Sequence, residues 1–397
     1  MFSDLKYEAI AVTLRQEILG NDAGPYLPSE CLLTERFGVH RSTVRRALQV
    51  LEEEGLILRR PGRRTEIVAR TSPASAASHP HVAFVANSSP RGWVTMPILH
   101  GAESELTPRG CDIGFYTTFS LDLQEAARRE RERLEACLQR PVAGVILWPA
   151  TACGNRDLLS QLREAGIPVV LVDQRLPDLE LDFVGTDSFA AAHVVTTHLL
   201  EMGYRRVLHI TRNNEMPTTR ERIAGYRQAL LDRGIEPDDS LIFRCDPGRA
   251  EQEILDSLVT EERRTTSKEA GKQRTGIFGI NDMTALRVLH HLARRRVPVP
   301  DRFGVAGIDD LPVSDLSVIP LTTVHQPWEE IGAAAARLLL RRLEEKGLLA
   351  AEQARPSTTS DPIITLLPTR LIARTSTGGA QSTTGVSALL PLAWERL

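Results

Sequence analysis

The stretch FGVHRSTVRRALQVLEEEGL, residues 37–56, decides the fold of the N-terminal part of the chain. Gly38 permits a tight turn. The helix predicted after this turn runs from Arg41 or Ser42 to Glu54. It has an apolar face at helical spacing and a second face with arginines four residues apart. The apolar face comprises Val44, Ala47, Leu48 and Leu51. The second face comprises Arg41, Arg45 and Gln49, with Ser42, Thr43 and Arg46 at its margins. A helix that enters the major groove of DNA needs this combination.

Further elements are predicted on both sides of this helix. An amphipathic helix covers Tyr7–Leu19, and another begins after Ser29, which is a natural N-cap. Downstream, Leu56–Leu58 and Thr65–Val68 are predicted as short strands joined by an arginine-rich hairpin at 60–64. Arginines on one short helix often form only a solvated face. Here the helix, the turn and the basic hairpin agree, and together they favour a winged helix that binds DNA.

This part of the chain resembles the GntR-type winged-helix family over nearly all of residues 7–69. The resemblance rests on LPSE at 27–30, FGVHRSTVRRAL at 37–48, EGLI at 54–57 and Gly62. Cys31 stands where the family usually has a basic residue, so one phosphate contact is expected to be missing. The resemblance implies DNA binding by Ser29, Glu30, His40, Arg41, Ser42, Thr43, Arg45, Arg46, Gly62 and Arg63.

The character of the sequence changes after the Ser/Ala/Pro-rich segment TSPASAASHP at 71–80, which is predicted to be a flexible linker. From residue 81, short apolar runs alternate with amphipathic stretches of helical length. The runs are Val82–Ala86, Ile113–Tyr116, Val142–Trp148, Val169–Val172, Val207–Ile210, Leu241–Phe243, Gly276–Ile280 and Gly304–Ile308. This alternation predicts parallel sheets covered by helices on both faces, hence an α/β fold.

Polar or aromatic side chains follow many of these runs. Trp148 ends one run, Asp173 and Asn281 follow two others, and Asp309 follows the last. Ligands of open parallel sheets bind beyond the carboxyl ends of the strands. Carboxylates, an amide and flat rings suit a polyol, whose hydroxyls need paired partners in a dry cleft. The sequence therefore predicts a sugar-type site at these strand ends.

Residues 81 to about 377 resemble the LacI-type effector domain, which is related to periplasmic sugar-binding proteins. The resemblance rests on the motifs GVIL at 144–147, VDQR at 172–175, LEMGYRRV at 200–207, RIAGY at 222–226, ND at 281–282, GIDD at 307–310, PLTTV at 320–324 and LPTRL at 367–371. The resemblance implies two α/β lobes, three crossings between them, and an effector in the cleft. Carried over by position, the effector-binding residues are Trp93, Thr95, Trp148, Asp173, Arg222, Asn281, Asp309 and Trp328. Val94 and Thr95 stand where the family often has adjacent aromatic residues.

Each of these side chains also has a structural alternative that the sequence leaves open. A tryptophan such as Trp148 is often part of a core. Asn281 could satisfy backbone groups at a strand end, and Asp309 could cap the turn after it. Arg222 opens a helix and could pair locally.

The fold class is therefore α/β, with an N-terminal winged helix-turn-helix and a two-lobed parallel α/β domain of the periplasmic-binding-protein type. The expected domains are 1–70 for DNA binding, 71–80 as linker, 81–377 for effector binding, and 378–397 as a disordered tail. The expected lobes are about 81–185 with 325–347, and 186–324 with 358–377.

Composition limits the remaining possibilities. The net charge is only −3, but seven arginines fall between residues 41 and 64, so positive charge is local. The five cysteines include no CxxC pair, which argues against a disulfide framework or a zinc site. The N-terminus resembles no secretory signal, and no apolar run is long enough to span a membrane. We expect a cytoplasmic protein without cofactor or metal.

The sequence predicts a DNA-binding transcriptional regulator, in the first place a repressor, that is controlled by a small effector. A homodimer on a palindromic operator is expected, with double-stranded DNA and a sugar as partners and no membrane. Pentose, hexose and nucleoside-like effectors remain open, as does the direction of the response. The alternative is a GntR-headed, pyridoxal-phosphate-dependent aminotransferase-like protein. It requires a Schiff-base lysine, but none of the lysines after position 80 lies at the end of an apolar strand.

Overall fold

Helical segments and a short antiparallel sheet build the first of two units of the chain, Met1–Ser78. Helix α1 spans Glu30–Phe37 and α2 spans Arg41–Glu53. Strands β1 (Ile57–Leu58) and β2 (Glu66–Ile67) pair antiparallel. The computed structural model describes residues 7, 10–14, 26–53, 56–59, 64–67, 79–87, 92–120, 122–140, 142–152, 154–176, 178–245, 253–254, 256–257, 274–350 and 361–379.

One apolar core joins these elements. Residues 10–14 are helical, and Leu14 packs there with Leu33 of α1, Leu48 of α2 and Ile57 of β1. All four leucine and isoleucine side chains are at most 2% exposed. The predicted inward face of α2 is therefore the face that is buried.

The turn between α1 and α2 has the geometry that the sequence predicts. Gly38 has a φ of 58°, in the left-handed region that glycine adopts at little cost, and its N–H donates to the carbonyl of Thr34. At the other end of α1, the Ser29 hydroxyl accepts a hydrogen bond of 3.4 Å from the N–H of Leu32. Ser29 is thus the N-cap, and α2 starts directly after the turn.

Parallel sheets form the centre of the second unit, His79–Leu397. Its strands are β3 (His81–Ala86), β4 (Asp112–Thr117), β5 (Gly144–Trp148), β6 (Val169–Val172), β7 (Asp182–Thr186), β8 (Arg206–Thr211), β9 (Ile242–Arg244), β10 (Thr275–Gly279), β11 (Phe303–Ala306), β12 (Thr323–His325), β13 (Ile364–Leu367) and β14 (Arg370–Ile372). Within the described residues, the first sheet has the order β13-β7-β6-β5-β3-β4 and the second has the order β11-β10-β8-β9. All neighbours in these two sheets are parallel, which confirms the α/β prediction.

Helices cover both sheets. They are α3 (Thr95–Leu106), α4 (Leu123–Gln139), α5 (Arg156–Glu164), α6 (Ser188–Glu201), α7 (Pro217–Leu231), α8 (Asp282–Arg294), α9 (Pro312–Leu316) and α10 (Trp328–Glu345). Helices α3 and α10 pack at two glycines, because a Cβ on Gly101 or on Gly332 would lie 1.9 Å from a carbonyl oxygen of the other helix. No helix in the described part of the chain is both long and apolar enough to cross a bilayer.

The chain crosses between the sheets at segments 186–188, 325–328 and 367–370. The expectation that 358–377 belongs wholly to the second lobe is wrong for Ile364–Leu367. This strand, β13, pairs in parallel with β7 and completes an edge of the first sheet. An apolar run indicates a strand, but the partner of that strand is a long-range contact that the run itself does not encode.

Several expectations fall on residues outside the described ranges. These are the hairpin residues Gly62 and Arg63, the linker except 79–80, and the tail after residue 379.

Candidate functional site

The first candidate site is the arginine-bearing surface of the N-terminal unit. The carboxylate of Glu30 in α1 accepts hydrogen bonds from Nε of Arg41 (2.9 Å), Nε of Arg45 (3.0 Å) and Nη2 of Arg59 (2.7 Å). Partial burial opposes the charged carboxylate, but the hydrogen bonds from Arg41 and Arg45 outweigh it and lower the pKa of Glu30. Glu30 therefore holds three guanidinium groups together, and we call these four residues the arginine cluster.

The cluster leaves the two α2 arginines accessible. The side chains of Arg41 and Arg45 are 63% and 57% exposed, whereas that of Glu30 is 17% exposed. An acid at the centre thus orients cations toward solvent, where a phosphate or a base edge could meet them. Sequence reasoning does not select Arg59 as a contact, although its place in the basic stretch is a usable signal.

The other expected DNA-binding residues have mixed surroundings. Nδ1 of His40 lies 2.9 Å from the hydroxyl of Ser42, at the exposed start of α2. The guanidinium of Arg46 lies over the ring of Tyr7, 4.5 Å from its centroid, so Arg46 also has a packing role. Ser29 caps α1, and the half-buried Thr43 lies in the first turn of α2.

The second candidate site is a cavity of about 220 Å³ in the second unit, which we call the strand-end cavity. It lies beyond the carboxyl ends of strands from both sheets, as predicted. Six of the eight expected effector-binding residues line it. The full lining is Val94, Trp148, Asp173, Gln174, Arg212, Asn214, Met216, Thr218, Thr219, Arg222, Ile280, Asn281, Asp309 and Trp328.

Trp93 and Thr95 do not line the cavity. Trp93 is 52% exposed on the turn before α3, and Thr95 is 1% exposed in the first turn of that helix. Val94, between them, faces the cavity instead. Successive residues of a turn point in different directions, and sequence position alone does not fix these directions.

The buried Asp309 and the half-buried Asp173 lie opposite one arginine at this cavity. Asp173 follows β6 and Asp309 follows β11, and both have left-handed backbone angles, with φ of 61° and 138°. Nε2 of Gln174 donates to Asp173 (3.0 Å), and Nε2 of Gln326 donates to Asp309 (2.9 Å). Burial raises the pKa of both carboxyl groups, and the charge of Arg222 only partly opposes it. Strained non-glycine residues concentrate at functional sites, so both aspartates qualify as candidates.

Three buried polar atoms around the cavity have no hydrogen-bond partner among the described residues. They are Nε of Arg222, Oε1 of Gln174 and Nε1 of Trp328. Nη1 of Arg222 donates to the carbonyl of Ile280 at 2.6 Å, which fixes the guanidinium. An unsatisfied buried polar group costs about 1–3 kcal/mol. A ligand hydroxyl that reached one of these atoms would remove this cost.

The two expected tryptophans form one aromatic wall. The rings of Trp148 and Trp328 stack with their centroids 6.0 Å apart and an angle of 22° between planes. Both rings also pack against the core beneath the first sheet. The two tryptophans are therefore part of the core and also line the cavity.

Asn281 caps a helix and lines the cavity at once. Its Oδ1 accepts a hydrogen bond of 3.0 Å from the N–H of Thr284, at the start of α8. The residue also lines the cavity. Sequence reasoning missed other lining residues, among them Gln174, Arg212 and Thr218. Arg212 directly follows β8, so the strand-end rule that selected the aspartates could have found it.

The loop that follows Trp148 depends on a buried carboxyl group. Glu130 of α4 is 1% exposed, and its carboxylate accepts hydrogen bonds from the N–H of Ala150 (2.6 Å) and Nδ2 of Asn155 (2.8 Å). Burial raises the pKa of Glu130 to about 7 even though both hydrogen bonds act to lower it. The protonation of this residue therefore changes near neutral pH.

Glu130→Gln is expected to flatten the pH dependence of the free energy of unfolding. The pKa of about 7 in the folded protein lies above the ordinary glutamate value of 4.5, so folding favours the protonated acid. The stabilisation by Glu130 is complete below the unfolded-state pKa of 4.5 and is lost as pH rises through the folded-state pKa of about 7. Over this range the free energy of unfolding is expected to fall by about 3 kcal/mol. Urea unfolding at about pH 5 and about pH 8 measures it. Glu132→Gln, on the exposed side of α4, is the matched control, and equal pH dependence in wild type and Glu130→Gln would refute the prediction.

Comparisons with known proteins agree with the predicted pair of domains. Residues 6–67 match the family model of bacterial regulatory proteins of the gntR family, and residues 196–377 match that of the periplasmic binding protein-like domain. An arabinose metabolism transcriptional repressor of Halalkalibacterium halodurans is 27% identical over 392 residues, covering 97% of this chain and 100% of the relative. The regulator CelR of Thermobifida fusca is 33% identical over 62% of this chain and 67% of its own length.

A solved structure shows the same fold. The CelR–cellobiose complex aligns with a TM-score of 0.61 at 24% identity, over 88% of this chain and all of that chain. These findings confirm both resemblances drawn from the sequence.

Proposed function

Because this chain belongs to the family of transcriptional regulators that join a gntR-type winged helix to a periplasmic binding protein-like domain, we propose that it is a repressor whose operator affinity is lowered by a small sugar. Its relatives regulate transcription and are not enzymes, so the aminotransferase-like alternative is set aside. The proposed sugar binds in the strand-end cavity. The observation that carries the proposal is the convergence of Asp173, Asp309 and Arg222 on this one cavity.

The chemistry of the cavity favours an uncharged polyol. Asp173 and Asp309 can each accept hydrogen bonds from neighbouring hydroxyls, and the free Nε of Arg222 can donate one. The Trp148–Trp328 wall suits the C–H face of a sugar ring. The carboxyl groups of Asp173 and Asp309 disfavour a phosphorylated sugar, because negative charges at one site repel each other.

The size of the cavity favours a monosaccharide. Its volume of about 220 Å³ lies below the range of about 300–1,000 Å³ that is typical of sites for drug-sized ligands. A relative that aligns over 97% of this chain is named for arabinose metabolism, so arabinose is the first candidate. Ribose and glucose test other monosaccharides, and cellobiose tests a disaccharide.

A thermal-shift screen of these sugars tests the proposal. A ligand present at about one hundred times its Kd stabilises the folded protein by about 2.7 kcal/mol, which is a clear rise in Tm. We expect a monosaccharide to produce this rise and cellobiose to produce less. If no sugar of the panel raises the Tm, the proposed effector class is wrong.

The DNA half of the proposal rests on the arginine cluster. We propose that two copies of the chain place their α2 helices in the major groove of a palindromic operator, in the cytoplasm, with Arg41 and Arg45 as the principal contacts. Their exposure on one face of α2 supports this role. The sequence selected by the protein from a pool of random DNA duplexes would supply the operator and show whether it is palindromic.

Glu30→Gln is expected to reduce the discrimination between operator and random DNA by about fivefold, since an exposed ion pair is worth up to about 1 kcal/mol. The neutral amide no longer orients Arg41, Arg45 and Arg59, so these cations attract any phosphate. Binding to random DNA should strengthen and depend more steeply on salt. Fluorescence anisotropy at several salt concentrations measures both effects. Glu52→Gln, which is also an acid near Arg59, should change little, and unchanged discrimination in Glu30→Gln would count against the orienting role.

A further inference from the structure

A buried glutamine lies at one of the crossings between the two sheets. Gln326 is 1% exposed and stands between β12 and α10. Strand β12 pairs with β14 and is bridged to Asp309 on the side of the second sheet, whereas α10 packs on β5, β6 and β7 of the first sheet. The residue therefore belongs to neither sheet but to the connection between them.

The side-chain amide of Gln326 connects three parts of the molecule. Its Nε2 donates to Oδ1 of Asp309 at 2.9 Å, and Asp309 lines the strand-end cavity. Its Oε1 accepts from the hydroxyl of Thr186 at 2.5 Å. Thr186 is the last residue of β7 and is 8% exposed, at the crossing that leads to α6. One amide thus joins a cavity carboxylate to two separate crossings.

The position of Asp309 makes this connection sensitive to the contents of the cavity. Its carboxyl group is buried, and its backbone has a φ of 138°, so the surrounding contacts hold it in a strained conformation. Gln326 is the only described residue for which a direct hydrogen bond to this carboxyl group is found. A hydroxyl that donates to Asp309 from the cavity must share the carboxylate with Gln326.

We propose that Gln326 is the positioning residue through which an occupied strand-end cavity acts on the crossings between the sheets. A polyol hydroxyl that donates to Asp309 weakens the hydrogen bond from Gln326. The change reaches Thr186, because the same amide group bonds both residues. The crossings then move from one arrangement to another, and operator affinity follows. This inference rests on the proposed function, since it requires a polyol in the cavity and a DNA response.

Threonine substitutions at two buried sites provide the main test. Thr186→Val removes the hydroxyl that donates to Gln326 and keeps the shape of the side chain, and Thr186→Ser restores the hydroxyl. Thr211→Val is the matched control, because the buried hydroxyl of Thr211 has no hydrogen-bond partner among the described residues. Gln326→Met, which removes the amide, gives a second and independent variant.

Two quantities are measured for each full-length variant. Calorimetry gives the Kd of the panel monosaccharide that stabilises the wild type most. Anisotropy gives operator affinity with and without this sugar at saturation, and the ratio of the two affinities is the coupling, typically about 5–150-fold in allosteric proteins. A residue with only a structural role would change stability or both affinities but would leave this ratio unchanged.

We expect Thr186→Val to bind the sugar within about threefold of the wild type and to lose most of the coupling, with recovery in Thr186→Ser. Gln326→Met should lose the coupling to the same extent, and the double variant should lose no more, because the two residues act through one connection. Thr211→Val should keep the wild-type ratio. Wild-type coupling in both Thr186→Val and Gln326→Met would overturn the inference and leave the proposed function intact. A wild-type protein without coupling would overturn both.

Discussion

Arg222→Met is expected to lower the affinity for the sugar by about 10- to 100-fold, since a hydrogen bond from a charged group is worth about 1.5–3 kcal/mol. The guanidinium of Arg222 is buried, is fixed by the carbonyl of Ile280, and keeps its Nε without a protein partner among the described residues. It is also the cation that faces both Asp173 and Asp309. The methionine retains much of the apolar stem but supplies neither the donor nor the charge.

Calorimetric titration with the stabilising sugar measures this loss, and operator affinity without sugar should remain at the wild-type value. Arg220→Met is the matched control, because Arg220 lies on the same helix with its side chain exposed. The melting temperature of both variants shows whether the fold is retained. If Arg222→Met bound the sugar as tightly as Arg220→Met, the arginine would be a structural residue and the proposed binding mode would be wrong.

Arg45→Ala is expected to reduce operator affinity by about 10- to 100-fold, since a base-reading arginine is worth about 1–3 kcal/mol of discrimination. Arg45 is more than half exposed on α2, and its Nε is held by Glu30 at 3.0 Å. The side chain is therefore oriented before DNA arrives, which lowers the entropic cost of contact. The reduction should be smaller on random DNA, where no base is matched.

Anisotropy titrations with operator and random duplexes at one salt concentration measure the two affinities. Arg163→Ala is the control, because it removes one exposed arginine from the second unit and should leave both affinities unchanged. An equal loss of affinity on operator and random DNA in Arg45→Ala would show that Arg45 contacts only phosphates.

Much of the fold could be predicted because local patterns determine it. Each residue of β6 is buried, as its uninterrupted apolar sequence VVLV predicts for a strand covered on both faces. The turn at Gly38 and the cap at Ser29 are equally local. The sheet to which β13 belongs could not be predicted, because its pairing with β7 joins residues about 180 positions apart and is not encoded by either segment alone.

The candidate site could likewise be predicted only in part. The strand-end rule selected Asp173, Asn281 and Asp309, because the topology of a parallel sheet brings such residues to one edge. Trp93 and Thr95 were instead carried over from the family resemblance and do not line the cavity, because their side-chain directions depend on the backbone angles of a turn.

Two sets of polar contacts could not be predicted from the sequence either. The grouping of three arginines around Glu30 and the bonds of Gln326 to Thr186 and Asp309 are tertiary contacts. No spacing in the sequence marks such contacts, because they join segments that meet only in the folded chain.

A sugar in the strand-end cavity is expected to weaken the binding of the N-terminal unit to its operator. Titration of fluorescent operator DNA with wild-type protein, in the absence of sugar and at saturating sugar, tests it most directly. We expect a drop in operator affinity of about 5- to 150-fold at saturation, and a smaller drop in Arg222→Met at the same sugar concentration. Superimposable titration curves, under conditions in which calorimetry shows the wild-type cavity to be full, would contradict it.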